Sequence, residues 1–274
     1  MISSKPKKVA MQSNNPLKGK TILVTRAEAQ AKELQTLIET RGGRAVLLPC
    51  IQFRACTEGK ALQHFKANLD LTDWLILTSA NGARFCRQFL DAARAKLPKS
   101  LRVAVIGQKT RKAAEELDIR VDFPAEALDS RDFVRTFLLR QNLPYRVFYP
   151  TSRQAHDVLE KEFNKFGVDV IRQDIYETVP VVTEAAIREA FRQPIDALTF
   201  FSPSAVQAFM MQCPYEVKMQ VKELPVFSIG STTSAALAEA GLKRIFTAAR
   251  PSMNSMLTLL QDIFAEADHP LTGD

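Results

Sequence analysis

The sequence predicts an α/β protein made of two similar domains, each a parallel sheet flanked by helices. Three observations carry this reading. Short apolar stretches alternate with amphipathic ones along most of the 274 residues, the order that helical crossovers and parallel sheets produce. The apolar stretches run without polar alternation, as in Trp74-Leu-Ile-Leu77 and Val103-Ala-Val-Ile106, which is how strands buried on both faces read. Finally, the chain repeats itself at a fixed interval.

The first strand is Thr21-Ile-Leu-Val-Thr-Arg26. A helix over Ala27–Thr40 follows, with Ala31, Leu34, Leu37 and Ile38 at three- and four-residue spacings and Gly42-Gly43 as its stop. Next come Asp73-Trp-Leu-Ile-Leu-Thr-Ser79-Ala-Asn-Gly and Leu101-Arg-Val-Ala-Val-Ile-Gly107-Gln-Lys-Thr110. Both return 123 residues later, as Asp196-Ala-Leu-Thr-Phe-Phe-Ser202-Pro-Ser-Ala and Leu224-Pro-Val-Phe-Ser-Ile-Gly230-Ser-Thr-Thr233. Gly43 and Gly167, each after an amphipathic helix, differ by 124. Arg146-Val-Phe-Tyr-Pro-Thr151 matches the opening strand in kind. A helix from Thr233 to Ala240 stops at Gly241. Residues 1–16 and the end from about 265 to 274 read as disordered tails, since Pro270 and Gly273 discourage a helix there.

Composition excludes several functions. Hydrophobic residues make up 46% and charged residues 24%, a globular profile. No apolar run reaches the roughly 20 residues of a bilayer span, and the N-terminus lacks an apolar signal core, so a cytoplasmic protein without membrane contact is expected. The net charge of +7 is largely a tail: without Lys5, Lys7, Lys8, Lys18 and Lys20, the 37 basic residues fall to 32 against 30 acidic. No basic stripe suggests nucleic acid. Cys50, Cys56, Cys86 and Cys213 show no C-x-x-C spacing, and His64, His156 and His269 are scattered, so neither a metal site nor a disulfide framework is expected. Phosphate-loop, dinucleotide and nucleophile-elbow motifs are absent from the sequence.

Ligands of open parallel sheets bind at the carboxyl ends of the strands. Those ends carry Thr25-Arg26, Thr78-Ser79-Ala-Asn81, Gly107 to Thr110, Pro150-Thr151-Ser152-Arg153, Ser202-Pro-Ser204 and Gly230-Ser-Thr232-Thr233. Each is expected to open a helix, whose free N–H groups and positive dipole end attract anions. Any single Ser or Thr is accounted for by helix capping, worth about 1 kcal/mol; recurrence at every strand end is not.

These motifs, in order, resemble the uroporphyrinogen-III synthase family: Val24-Thr25-Arg26, Pro49-x-Ile51, Trp74 to Gly82, Val105 to Thr110, Ile175-Tyr176-x-Thr178, Asp196 to Ser204 and Ile229 to Thr233. The resemblance spans roughly residues 17–264. It implies two parallel-sheet α/β domains joined by a two-stranded linker: 17–49 with 179–264, then 53–174, with linkers 50–52 and 175–178 and the active site in the cleft between domains. It implies a lyase that closes hydroxymethylbilane, a linear tetrapyrrole with eight carboxylates. The hydroxyl leaves as water, a spiro intermediate forms, and the last ring is inverted; spontaneous closure gives the uninverted isomer. The substrate supplies the reactive electrons, so no cofactor and no metal are expected. A transient contact with the enzyme that supplies the substrate is expected too.

Tyr176 matches the tyrosine of the family's linker motif and is expected to assist departure of the hydroxyl. Arg26, Ser79, Asn81, Thr110, Ser152, Arg153, Ser202, Ser204, Thr232 and Thr233 are expected to hold substrate carboxylates. Asn81 stands where some members carry arginine. Two other classes fit the pattern less well: a hinge-type binding protein for a small anion, which calls for a secretion signal or a regulatory domain, and a flavodoxin-like electron carrier, which calls for a yellow protein.

Overall fold

A computed structural model of the chain describes residues 15–127 and 129–268. The expected tails at 1–14 and 269–274 lie outside the described residues. In chain order the elements are β1 (Thr21–Val24), α1 (Glu28–Glu39), β2 (Arg44–Leu47), β3 (Ile51–Ala55), α2 (Ala61–Asp70), β4 (Trp74–Leu77), α3 (Ala80–Ala92), β5 (Arg102–Ile106), α4 (Gln108–Glu115), β6 (Phe123–Ala125), α5 (Ser130–Arg140), β7 (Arg146–Ser152), α6 (Val158–Asn164) and β8 (Asp169–Pro180). They continue with α7 (Glu184–Ala190), β9 (Ala197–Phe200), α8 (Pro203–Gln212), α9 (Tyr215–Glu223), β10 (Val226–Ser228), α10 (Ser231–Glu239), β11 (Ile245–Thr247) and α11 (Met253–Asp268).

The described residues fall into two compact units, divided after Gln52 and again after Val179. The first holds a five-stranded sheet in the order β2-β1-β9-β10-β11, parallel at every pairing. The second holds β8-β7-β4-β5-β6, also parallel, with β3 outside β8. The two orders are the same once β7 is set against β1 and β4 against β9.

In the second unit both sheet faces are buried. Leu75 and Leu77 of β4 point into one core with Phe65, Phe89 and Phe148, while Trp74 and Ile76 point into the other with Phe133, Phe137 and Phe163. Alternate side chains leave a strand on opposite faces, so a strand covered by helices on both sides must be apolar throughout. In the first unit Ile22 and Val24 pack on Leu34, Ile38, Met256 and Leu260.

The 123-residue repeat is structural. β4 and β9 are in step at that interval, and so are the first residues of α3 and α8 and of α4 and α10. Ser79 and Ser202 are matched N-caps, accepting from Gly82 N–H at 2.9 Å and Ala205 N–H at 3.1 Å. Gly107 and Gly230 differ. Gly107 has φ +78°, a left-handed value that favours glycine, whereas Gly230 has φ 176°, extended backbone open to any residue.

Two expectations change. The turn Pro150 to Arg153 does not open a helix: β7 continues to Ser152, which lies opposite Tyr176, and α6 begins only at Val158. The long edge offered by the twelve-residue β8 keeps this stretch extended. The chain end also stays helical beyond the expected limit, because Leu257, Leu260 and Phe264 of α11 are buried and carry the helix to Asp268.

The glycine contrast is testable. Serine at either position adds an N-cap hydroxyl, but only at Gly107 must it adopt a left-handed backbone, which costs about 1–2 kcal/mol. Gly107→Ser should lower the urea midpoint, and Gly230→Ser, whose added Cβ meets nothing within 4 Å, should leave it unchanged or raise it.

Candidate active site

In sheets of this order, the strand pair whose connections leave in opposite directions opens a crevice at its carboxyl end. That pair is β7 and β4 in the second unit and β1 and β9 in the first.

The second unit gathers hydroxyls there. Tyr176 Oη lies 3.3 Å from Ser79 Oγ, and Ser152 lies opposite Tyr176 on the paired strand. Thr78 Oγ1 lies 3.4 Å from Tyr149 Oη. The Tyr176 ring stacks on Phe85 at 4.7 Å and 8°, and meets Phe53 edge-on at 6.2 Å. The residue is only 7% exposed. Burial raises its pKa above the ordinary phenol value; the Ser79 and Ser152 hydroxyls oppose this, and Tyr149 adds to it. The phenol therefore holds its proton at neutral pH.

Beside it Glu177, itself buried, holds two arginines. Its Oε1 accepts from Arg54 Nε at 2.9 Å and also from Arg54 Nη2, and its Oε2 accepts from Arg153 Nη1 at 2.6 Å. Both guanidiniums remain more than half exposed. Arg153 is among the residues singled out in the sequence, whereas its partner Glu177 and Arg54, 123 residues apart, are not. An arginine and a glutamate in two separate strands give no sequence signal until the strands are known to be neighbours. The Arg54 hydrogen bond is the largest influence holding the Glu177 carboxyl below its ordinary value; burial opposes it, and the charges of Arg153 and Arg54 reinforce it.

In the first unit Arg26 lies at the switch point. Its guanidinium sits 4.8 Å from the Phe201 ring, Nε donates to Gln30 Oε1 at 3.1 Å, and Nη1 is 3.7 Å from Met253 Sδ. Thr25 is spent on structure, donating to the Thr199 carbonyl at 2.8 Å. Among the other expected residues, Ser202 caps α8, Ser204 and Thr232 are exposed, and Thr110 and Thr233 are buried at 4% and 1% exposure. Thr233 Oγ1 is buried without a hydrogen-bond partner among the described residues. Asn81 Oδ1 accepts from Arg84 at 3.1 Å.

All four cysteines are free and buried. Burial pushes Cys50 and Cys86 up to about 12 and Cys213 up to about 11. These thiols stay protonated, which leaves them without nucleophilic character. Among the described residues no group of three or more His, Cys, Asp or Glu is arranged to hold a metal ion, and no helix is long and apolar enough to cross a membrane.

Two doubly wound units, one with a buried phenol beside its switch point and the other with a guanidinium at its own, define the class as α/β. The family model described as "Uroporphyrinogen-III synthase HemD" matches residues 32–258, and the chain belongs to that family of lyases. It is 23% identical over 266 residues to the "Porphyrin biosynthesis protein HemD" of Ruminiclostridium josui, a match covering 96% of this chain and 52% of the relative. The chain thus spans about half the length of that protein. It is 26% identical over 245 residues to the chloroplastic uroporphyrinogen-III synthase of Oryza sativa subsp. japonica, covering 85% of this chain and 77% of the relative. The crystal structure of uroporphyrinogen-III synthetase from Helicobacter pylori shares the fold, with TM-score 0.60, 18% identity, and 89% and 99% of the two chains covered. These likenesses favour the synthase over a hinge-type anion binder.

The Glu177 cluster predicts a pH dependence. A carboxyl whose folded-state pKa lies below its unfolded value stabilises the fold fully above that unfolded value and loses this contribution as the pH falls through the folded one. Glu177→Gln should therefore be less stable than the parent chain at pH 7, and the gap should narrow as the pH falls below the ordinary 4.5. Urea unfolding of both proteins at pH 7 and pH 3 checks this, and an equal gap at the two values refutes it.

Proposed function

We propose that the chain is a uroporphyrinogen-III synthase that converts hydroxymethylbilane to the macrocycle with its last ring inverted. The observation that carries the reading is the family match together with Tyr176, a buried phenol that keeps its proton beside the second unit's strand ends. Departure of the hydroxymethyl oxygen needs a proton, and a positioned donor supplies one in the transition state. As the C–O bond breaks, its electron pair goes to oxygen and the Tyr176 proton follows, so water leaves. The substituted α-carbon of the last ring then attacks the resulting azafulvenium cation, giving the spiro intermediate that opens and recloses inverted.

The remaining task is orientation, since the chain must hold the conformer that favours spiro closure over direct closure. We assign the eight carboxylates to Arg153, Asn81, Thr110 and Ser152 in the second unit and to Arg26, Ser202, Ser204, Thr232 and Thr233 in the first. Guanidiniums make charge-assisted hydrogen bonds to carboxylates, and helix starts add N–H donors. The substrate closes by itself to the wrong isomer, which favours transient contact with the enzyme that supplies it. Four buried thiols with no disulfide partner favour a reducing compartment such as the cytoplasm.

Purified protein given enzymatically generated hydroxymethylbilane should yield the type III isomer; type I alone overturns the proposal. Tyr176→Phe should keep its fold and lose about 10²-fold in kcat, the usual worth of a general acid. An unchanged kcat removes Tyr176 from the chemistry.

A further inference from the structure

The Ser79 hydroxyl has two partners. As N-cap of α3 it has extended backbone, φ −151° and ψ 153°, and its Oγ accepts the Gly82 N–H at 2.9 Å. The same oxygen lies 3.3 Å from Tyr176 Oη. Ser202 repeats the backbone and the cap 123 residues later, and among the described residues its hydroxyl meets no phenol. Capping alone therefore explains what the two serines share and leaves the Tyr176 contact over.

A hydroxyl carries one O–H donor and two lone pairs. Gly82 occupies one lone pair of Ser79. The other can accept from a neutral phenol, and by rotation the O–H can donate to a phenolate with no heavy atom moving. Ser152, the second hydroxyl at Tyr176, has another acceptor to serve, Gln154 Oε1 at 2.9 Å. Among the described residues Ser79 has no acceptor for its O–H other than Tyr176. The Gly82 bond also fixes the Ser79 oxygen at the start of a thirteen-residue helix, where the dipole favours negative charge.

We propose that Ser79 is a positioning residue for Tyr176, holding the phenol at rest and donating its O–H to the phenolate formed when Tyr176 gives up its proton. This rests on the reading of Tyr176 as proton donor. The balance is closed: the Tyr176 O–H bond breaks, its proton joins the departing oxygen as water, and the electron pair stays on Oη. The cation left on the pyrrole chain matches that charge. The proton released from the ring carbon at closure returns to Oη and restores the phenol.

Capping and donation separate by substitution. Aspartate caps a helix as well as serine does, but at neutral pH it has no proton to give. Threonine keeps both functions. In the full chain Ser79→Asp should melt as the parent does and lose about tenfold or more in kcat with KM unchanged, while Ser79→Thr recovers most of kcat. Alkaline titration of Tyr176, followed by phenolate absorbance as the difference from Tyr176→Phe, should move upward in Ser79→Asp. Added to Tyr176→Phe, the aspartate should cost nothing more, since residues acting through one group are not additive. A kcat for Ser79→Asp equal to the parent's overturns the proposal. So does a rise in KM alone, or a full further loss on top of Tyr176→Phe, either of which marks Ser79 as a direct substrate contact. Retained kcat in Tyr176→Phe alone sinks the underlying reading of Tyr176 instead.

Discussion

Strands paired in parallel all end at the same edge of their sheet, so the turns that follow them and the helices those turns open gather there too. In each unit this places the polar residues of several distant segments side by side while the rest of every strand stays buried. β4 illustrates the division: Trp74 to Leu77 are buried to the last residue, and Thr78 and Ser79 turn polar at the point where the strand stops. The strand end is the one place where a side chain can leave the core without leaving a buried backbone group unpaired.

Tyr176 is an exception of a useful kind. It sits within β8, a strand of twelve residues that outruns its neighbours, and its ring is buried between Phe85 and Phe53. Burial raises its pKa, and the hydroxyls of Ser79 and Ser152 act in the opposite direction. The stacking on Phe85, which belongs to α3, ties the ring to the same helix that Ser79 caps.

On the next residue of β8, Glu177 organises charge. One carboxylate engages two guanidiniums through both of its oxygens, and both guanidiniums remain more than half exposed. The first unit has a different device: Arg26 lies against Phe201, with Gln30 and Met253 as further partners. The repeat has therefore preserved scaffold and caps while the side chains at the two switch points have diverged.

The amino-acid sequence by itself determined everything that depends on neighbours along the chain. The α/β class, the repeat at 123 residues, the caps at Ser79 and Ser202 and the stop at Gly241 follow from periodicity and local hydrogen bonding, which act over a few residues. Only the tertiary structure decided what depends on which strands lie side by side. Arg54 meets Glu177, and Ser79 meets Tyr176 across 97 positions, because β3 lies against β8 and because β4 and β8 flank β7. The extension of β7 through Ser152 has the same origin, a long neighbouring strand that outweighs the turn-forming character of Pro-Thr-Ser-Arg. Gly107 and Gly230 read alike as letters, and only backbone geometry shows that one needs to be glycine. Local preference is set within one turn of chain, whereas pairing is set by the burial of whole sheets, and no short segment carries that information.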